Sequence, residues 1–392
     1  MGLKKKIAAL SSKYFPEVVQ VRRHLHSNPE LSFEEYNTSR FISKKLKEWK
    51  IPFKSGVVKT GIVALIKGKH PSSRIIALRA DIDALPITEK NKVSYCSKNP
   101  GVMHACGHDV HTASLLGAAR ILNELKNEFN GTAKLIFQPG EEKAPGGASL
   151  MIKEGILKNP TPNAILAQHV FPELEAGKVG FRSGKYMAST DEIYLTVKGK
   201  GGHAAMKGTY ISPLLIASEI LLALEKEFAQ VKIPTVLAFG RMHAFGATNV
   251  IPDEVKIDGT LRTMDEAWRK KTLQRIRKIA ETVAKRKRGN CDVKILTGYP
   301  ALSNNDAVTL RAKNAAKEFL GKENVIELKP RMTGEDFSFF AQKVPACFYR
   351  LGTGNKSKGI ISGVHTPTFD IDEKSLKTGM GLLAWIAMNE LK

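Results

Sequence analysis

A chain of 392 residues is longer than one hydrophobic core usually supports, so two domains are expected. With 42% hydrophobic and 25% charged residues it has the composition of an ordinary globular protein, and no run approaches the roughly 18 apolar residues of a membrane-spanning helix. The net charge of +23 invites a nucleic-acid partner, but the basic residues are spread along the chain without a groove-reading or base-stacking motif, which argues against one.

The basic start, Met1 to Lys6, precedes an apolar run too short for a signal peptide, and Lys6 stands where a lipidation signal wants Ser or Thr. Cys96, Cys106, Cys291 and Cys347 form no disulfide framework, so a reducing, cytoplasmic setting without a membrane is expected. Two helical stretches fill residues 1–50, the first stopping at Ser27-Asn28-Pro29-Glu30, the second running from Phe33-Glu34-Glu35 to Leu46. Thr60–Ile66 and Arg74–Arg79 read as buried strands. The second runs into Asp81-Ile82-Asp83, past the strand end where α/β sheets place functional groups.

Met103-His104-Ala105-Cys106-Gly107-His108-Asp109-Val110-His111 then packs a thiol, three imidazoles and a carboxylate ahead of an amphipathic helix expected over Thr112–Lys126. A third strand, Ala133–Phe137, leads into Gln138-Pro139-Gly140-Glu141-Glu142. Adjacent carboxylates cannot point the same way, so one can bind a metal while the other faces water. A short helix follows over Ser149–Gly155, and a fourth strand, Ala164–Ala167, is expected to end at Gln168-His169. From about Gly184 the order changes to strand (Asp191–Lys200), helix (Pro213–Phe228), two strands (Thr235–Met242, Val255–Thr263), helix (Asp265–Arg286) and strand (Cys291–Thr297). That is a ferredoxin-like split β-α-β unit. The basic patch from Arg269 to Arg288 lies on its long helix and reads as a solvated face. The first domain resumes with a helix at Asn305–Leu320, a strand at Pro345–Gly352, a loop carrying His365 and a last helix at Glu373–Leu391. The expected division is therefore 1–183 with 298–392, interrupted by 184–297.

Cys106, His108, one of the two glutamates, His169 and His365 make a mixed thiolate, imidazole and carboxylate set. It suits Zn²⁺, with Mn²⁺, Co²⁺ or Ni²⁺ as the other candidates. Five protein donors exceed what one open catalytic site uses and suit two ions about 4 Å apart, with a ligand and a hydroxide shared. Asp81 and Asp83 read as carboxylates that orient metal-bound histidines.

Met103 to Asp109, Gln138-Pro139-Gly140-Glu141-Glu142, Gly201-Gly202-His203-Ala204-Ala205, Asn249-Val250-Ile251-Pro252 and Thr333-Gly334-Glu335-Asp336-Phe337 resemble the metallo-amidohydrolase family of aminoacylases, hippurate hydrolases, auxin-conjugate hydrolases and N-acetyldiaminopimelate deacetylases. Arg22-Arg23-His24-Leu25-His26 with Pro29-Glu30-Leu31, and Leu78 to Pro86, extend the match over nearly the whole chain. The resemblance implies a mixed-sheet α/β di-metal catalytic domain interrupted by a ferredoxin-like βαββαβ satellite domain that often dimerises. It implies Cys106, His108, Glu142, His169 and His365 as ligands, Glu141 as the general base that deprotonates the attacking water, and His203, Asn249 and Arg262 as substrate contacts. The reaction implied is hydrolysis of the amide of a small N-acyl amino acid, and a carboxypeptidase or dipeptidase would use the same parts. Relatives follow the satellite histidine with Pro-His and, further on, Asp-Pro. Here Met206-Lys207-Gly208 and Ser212-Pro213 stand instead, which leaves substrate class and dimer contact open.

Overall fold

The structure, a computed structural model, describes residues 2–391. It divides into two compact units: one comprises the residues up to Gly184, Ser303–Lys329 and Asp336 onward, the other Lys185–Leu302 and Pro330–Glu335.

In the first unit, α1 (Leu3–Ser27) and α2 (Tyr36–Glu48) precede β1 (Phe53–Val57), β2 (Gly61–Lys67) and β3 (Ile75–Asp81). Then come α3 (His108–Glu124), β4 (Thr132–Gln138), α4 (Gly147–Lys153), β5 (Ala164–Glu175) and β6 (Val179–Phe181). The eight-stranded sheet runs β1-β2-β4-β3-β5, then Ala346–Gly354, β6 and Val325–Glu327. Its centre is parallel, β4 with β3, β3 with β5, and β5 with Ala346–Gly354, while β1, β2 and β6 join antiparallel. Every residue of β3, β4 and Ala346–Gly354 is buried, as expected of strands covered on both faces. The helices α1, α3 and Lys374–Glu390 pack on one another through Val18, Val21, Leu115, Ala119, Met380 and Leu383, in one continuous core with the sheet.

The second unit holds a four-stranded antiparallel sheet in the order Thr235–Ala244, Glu254–Thr263, Asp191–Lys198, Asn290–Thr297. Numbered along the chain the order is 2-3-1-4, the ferredoxin-like arrangement expected. Asp191–Lys198 alternates buried and exposed residues, and helices Pro213–Phe228 and Glu266–Arg286 seal its inner side through Ile216, Ile220, Leu224, Ile276 and Ala280. Asp265 caps the second helix by accepting from Trp268 N–H at 2.9 Å. Arg269 grips Asp191 with two bonds of 2.8 Å, fastening that helix to the first strand.

Two sequence expectations need correction. The fourth strand does not stop at His169: β5 continues to Glu175 because Ala346–Gly354 keeps pairing with it, Gly354 opposite Glu175. The polar Gln168 and His169 that suggested an end lie inside the sheet, where Gln168 Oε1 accepts from Tyr349 Oη at 3.1 Å and His169 Nδ1 donates to the Val170 carbonyl at 2.9 Å. The helix expected from Thr112 begins at His108, so its polar first turn is buried rather than a leading loop. The short strands β1 and β6 carried no usable pattern. Among the described residues no helix is long and apolar enough to cross a membrane, and all four cysteines are free thiols.

Candidate metal centre

Gly107 sets the geometry of the donor stretch. It caps α3 with φ +78°, and a Cβ there would lie 2.6 Å from Val170 Cγ2, so neither the backbone conformation nor the space admits a side chain. The tight turn puts Cys106 just before the helix and His108 in its first residue.

His108 Nδ1 donates to Asp83 Oδ1 at 3.1 Å, which turns Nε2 inward. Among the described residues, that buried Nε2 has no hydrogen-bond partner, and neither does Glu142 Oε1, 3.8 Å away. His169 donates Nδ1–H to the Val170 carbonyl, leaving Nε2 3.5 Å from Cys106 Sγ. His365 sits in a loop at φ +62°, a conformation rare for a residue with a Cβ. Its N–H bonds the Ala105 carbonyl at 2.7 Å, and its Nε2 lies 3.3 Å from Cys106 Sγ and 3.2 Å from Glu142 Oε1. Ligand atoms of Cys106, His108 and His169 lie within 4.8 Å of one another, as do those of Cys106, Glu142 and His365, and Cys106 belongs to both groups. Glu141 forms a further such group with His108 and Glu142, and its Oε1 accepts from Asp336 N–H at 3.4 Å.

The electrostatics describe a well of negative charge. Against the effect of burial, Asp81, Asp83 and Glu142 push the His108 imidazole up to about 10. Burial, then Glu142 and Glu141, drives the Cys106 thiol well above its ordinary range. Burial, then Arg350 and His111, holds His169 far below its ordinary value, so its Nε2 lone pair is free to bind. Two buried atoms without hydrogen-bond partners among the described residues, 3.8 Å apart in a pocket that draws protons, fit a cation better than any protein group present.

Asp81 and Asp83 act from behind. Burial opposes it, but Arg79, His108 and His111 hold the Asp81 carboxyl well below the usual range. Asp81 accepts from His111 Nδ1 at 2.5 Å and from Arg79 at 2.7 Å, while Asp83 also accepts from Ser32 Oγ at 2.7 Å and Glu142 N–H at 3.0 Å. Two residues given no role from sequence belong here. His111, one helical turn after His108, accepts from Val170 N–H at 2.9 Å and so fixes the strand position beside His169. The spacing of three along a helix was the available signal. Asp336 accepts from Arg79, from Gln138 Nε2 and from Ala148 N–H at 2.8–2.9 Å, tying the chain's far end to the Glu141 turn.

The expected substrate residues lie in the second unit. His203 is exposed on a short strand, Gly202–His203, paired with Val250–Ile251, and accepts from Ala205 N–H at 3.2 Å. Asn249 is exposed beside it, its carbonyl accepting from Ala204 N–H at 3.0 Å. Arg262 is half-buried on Glu254–Thr263 and, among the described residues, forms no ion pair. The Met206-Lys207-Gly208 departure is an exposed turn.

Residues 77–389 match the model of peptidase family M20/M25/M40. The chain belongs to that family. It is similar to IAA-amino acid hydrolase ILR1-like 5 of Arabidopsis thaliana, 38% identical over 96% of this chain and 87% of that protein. It is 39% identical to N-acetyl-L-cysteine deacetylase of Bacillus subtilis over 92% of this chain and 85% of that one. Among solved structures, the Bacillus subtilis YXEP protein, described as a dinuclear metal-binding M20 peptidase, superposes with a TM-score of 0.83 at 33% identity, covering 97% of this chain and 99% of that chain. This member of the M20 family is thus a hydrolase with amidohydrolases among its relatives.

Proposed function

We propose that this M20 hydrolase cleaves the amide bond of N-acyl amino acids. The observation that carries the reading is the pair of three-donor groups meeting at Cys106, with Glu141 beside them. Cys106, His108, Glu142, His169 and His365 would hold two divalent ions, Zn²⁺ by donor chemistry with Mn²⁺, Co²⁺ or Ni²⁺ as alternatives. Bound there, the ions supply Lewis acidity toward the amide carbonyl and toward water. Glu141 takes the proton of the attacking water and hands it to the leaving amine nitrogen. Asp83 and Asp81 keep His108 and His111 in single tautomers. Arg262, a half-buried guanidinium, would grip the substrate carboxylate with Asn249, and His203 would donate to the oxyanion.

A panel of N-acetyl, N-benzoyl and dipeptide substrates, run with each of the four metals, tests this. Turnover of acyl amino acids over dipeptides is expected, and turnover confined to peptides would reassign the protein as a carboxypeptidase or dipeptidase.

The second unit also supports a homodimer. Its helix Pro213–Phe228 leaves Leu214, Leu215 and Leu222 exposed, and strand Thr235–Ala244 is a sheet edge with Val236 and Met242 exposed. Sedimentation velocity should give a dimer that Leu215→Glu with Leu222→Glu converts to monomer. A wild-type monomer at micromolar concentration would refute it.

A further inference from the structure

The segment after α1, containing Pro29-Glu30-Leu31 and Glu34-Glu35, has no part in the ligand set or in the chemistry given to Glu141. Yet Glu35 is fully buried, and among the described residues no cation pairs with it. Only neutral donors hold its carboxylate. Oε1 accepts from Phe33 N–H at 2.8 Å and Gly140 N–H at 2.9 Å, and Oε2 from Thr60 Oγ1 at 2.6 Å. Burial, with repulsion from Asp83, pushes this carboxyl up to about 7. A carboxylate buried without a cation costs stability, so its contribution must be sought in what it holds.

It holds the turn that carries Glu141 and Glu142. Gly140 N–H is tied to Glu35 and Glu142 N–H to Asp83 at 3.0 Å, so Glu141 stands between two anchored amides. Gly147 N–H closes on the Gly140 carbonyl at 2.9 Å. The Phe33 ring lies where a Gly140 Cβ would fall, at φ +59°, so the same segment also presses the turn from outside. Ser32, three residues before Glu35, bonds Asp83, the other anchor. One short stretch thus supports both ends of the turn.

We propose that Glu35 is a positioning residue for hydrolysis: by fixing Gly140 it aims the Glu141 carboxylate, while touching neither a metal ligand nor substrate. The inference rests on the reading of Glu141 as the base. A base displaced by about 1 Å can lose on the order of 10²-fold in rate, so a rigid tether matters more here than in an ordinary turn.

The test compares Glu35→Ala, Glu35→Gln and Thr60→Val as metal-loaded proteins. It measures kcat and KM on the fastest N-acyl amino acid of the panel, metal content, and amide hydrogen exchange over residues 139–147. Glu35→Ala should lower kcat about 10²-fold with little change in KM or metal content, and speed exchange at Gly140 about tenfold. Gln keeps the Oε1 acceptor and turns its amide toward Thr60, whose hydroxyl can accept, so exchange protection and most of kcat should return. Thr60→Val removes only the Oε2 contact and should lower the melting temperature without lowering kcat. A Glu35→Ala protein that melts lower but keeps its kcat and its Gly140 protection overturns the proposal. So does a Glu35→Gln protein that keeps protection yet loses kcat, a comparison that survives if the alanine variant does not fold. Exchange needs no turnover: if Glu141 proves not to be the base, faster exchange in Glu35→Ala still supports the tether.

Discussion

Replacing Glu141 with Gln should leave metal content unchanged and lower kcat by about 10²-fold or more. The two glutamates of the turn are neighbours in sequence with different surroundings. Glu142 Oε1 faces His108 and His365, at 3.8 and 3.2 Å. Glu141 is 7% exposed and is held on one side by the Asp336 amide. Gln has the same shape and can keep accepting that bond through its carbonyl oxygen, so the variant removes basicity and little else. Glu142→Gln is the matched control, because it weakens a donor of the second group and should lower metal content. Elemental analysis with steady-state kinetics on both proteins separates the roles. Near-normal kcat in metal-loaded Glu141→Gln would remove Glu141 as the base.

The residues that gather around Cys106 were legible as a candidate site because their chemistry is local. Cys106, His108 and the Glu141–Glu142 pair lie in short runs whose residue types have few other uses together. The inserted unit was legible because its strands alternate and its helices have 3.6-residue periods, in an order matching one fold. What escaped was whatever depends on distant partners. Arg22 stands in a recognisable run with no role of its own in the sequence, yet it is buried against Asp109, 87 residues away. Asp336 sits in a recognisable motif, but its bonds to Arg79 and Gln138 span 257 and 198 residues. Glu35 reads only as part of a helix start, and its bond to the Gly140 amide spans 105 residues. The course of β5 beyond His169 follows from pairing with a strand nearly two hundred residues later, which no window on Ala164–His169 contains.

Asp109→Ala should destabilise the protein by about 3–5 kcal/mol, the largest stability effect expected of any single change here. Asp109 lies in the first turn of α3, where a negative charge also meets the helix dipole favourably. Its Oδ2 accepts from Arg22 Nε and His26 Nδ1, both at 2.8 Å, and all three side chains are fully buried. Without it, Arg22 keeps Asp370 at 2.9 Å and a distant Glu373 at 3.7 Å, while the proton on His26 Nδ1 loses its acceptor. The pH dependence follows from both partners. Burial opposes it, but Arg22 and His26 hold the Asp109 carboxyl far below the usual range. Its contribution is therefore present above the unfolded value of about 3.9 and is lost as pH falls toward the folded one. Burial and Arg22 push His26 down, yet Asp109 and Glu89 outweigh them and raise it. That contribution is complete below the unfolded value of about 6.5 and is lost as pH rises through the folded one. The gap in melting temperature between wild type and Asp109→Ala should thus be widest between about pH 4 and pH 6.5 and narrow on either side. A gap that is small, or that fails to narrow below about pH 4 and above about pH 6.5, would mean that the Arg22–Asp109–His26 cluster is not the buried charge network that seats α3 beneath the metal centre.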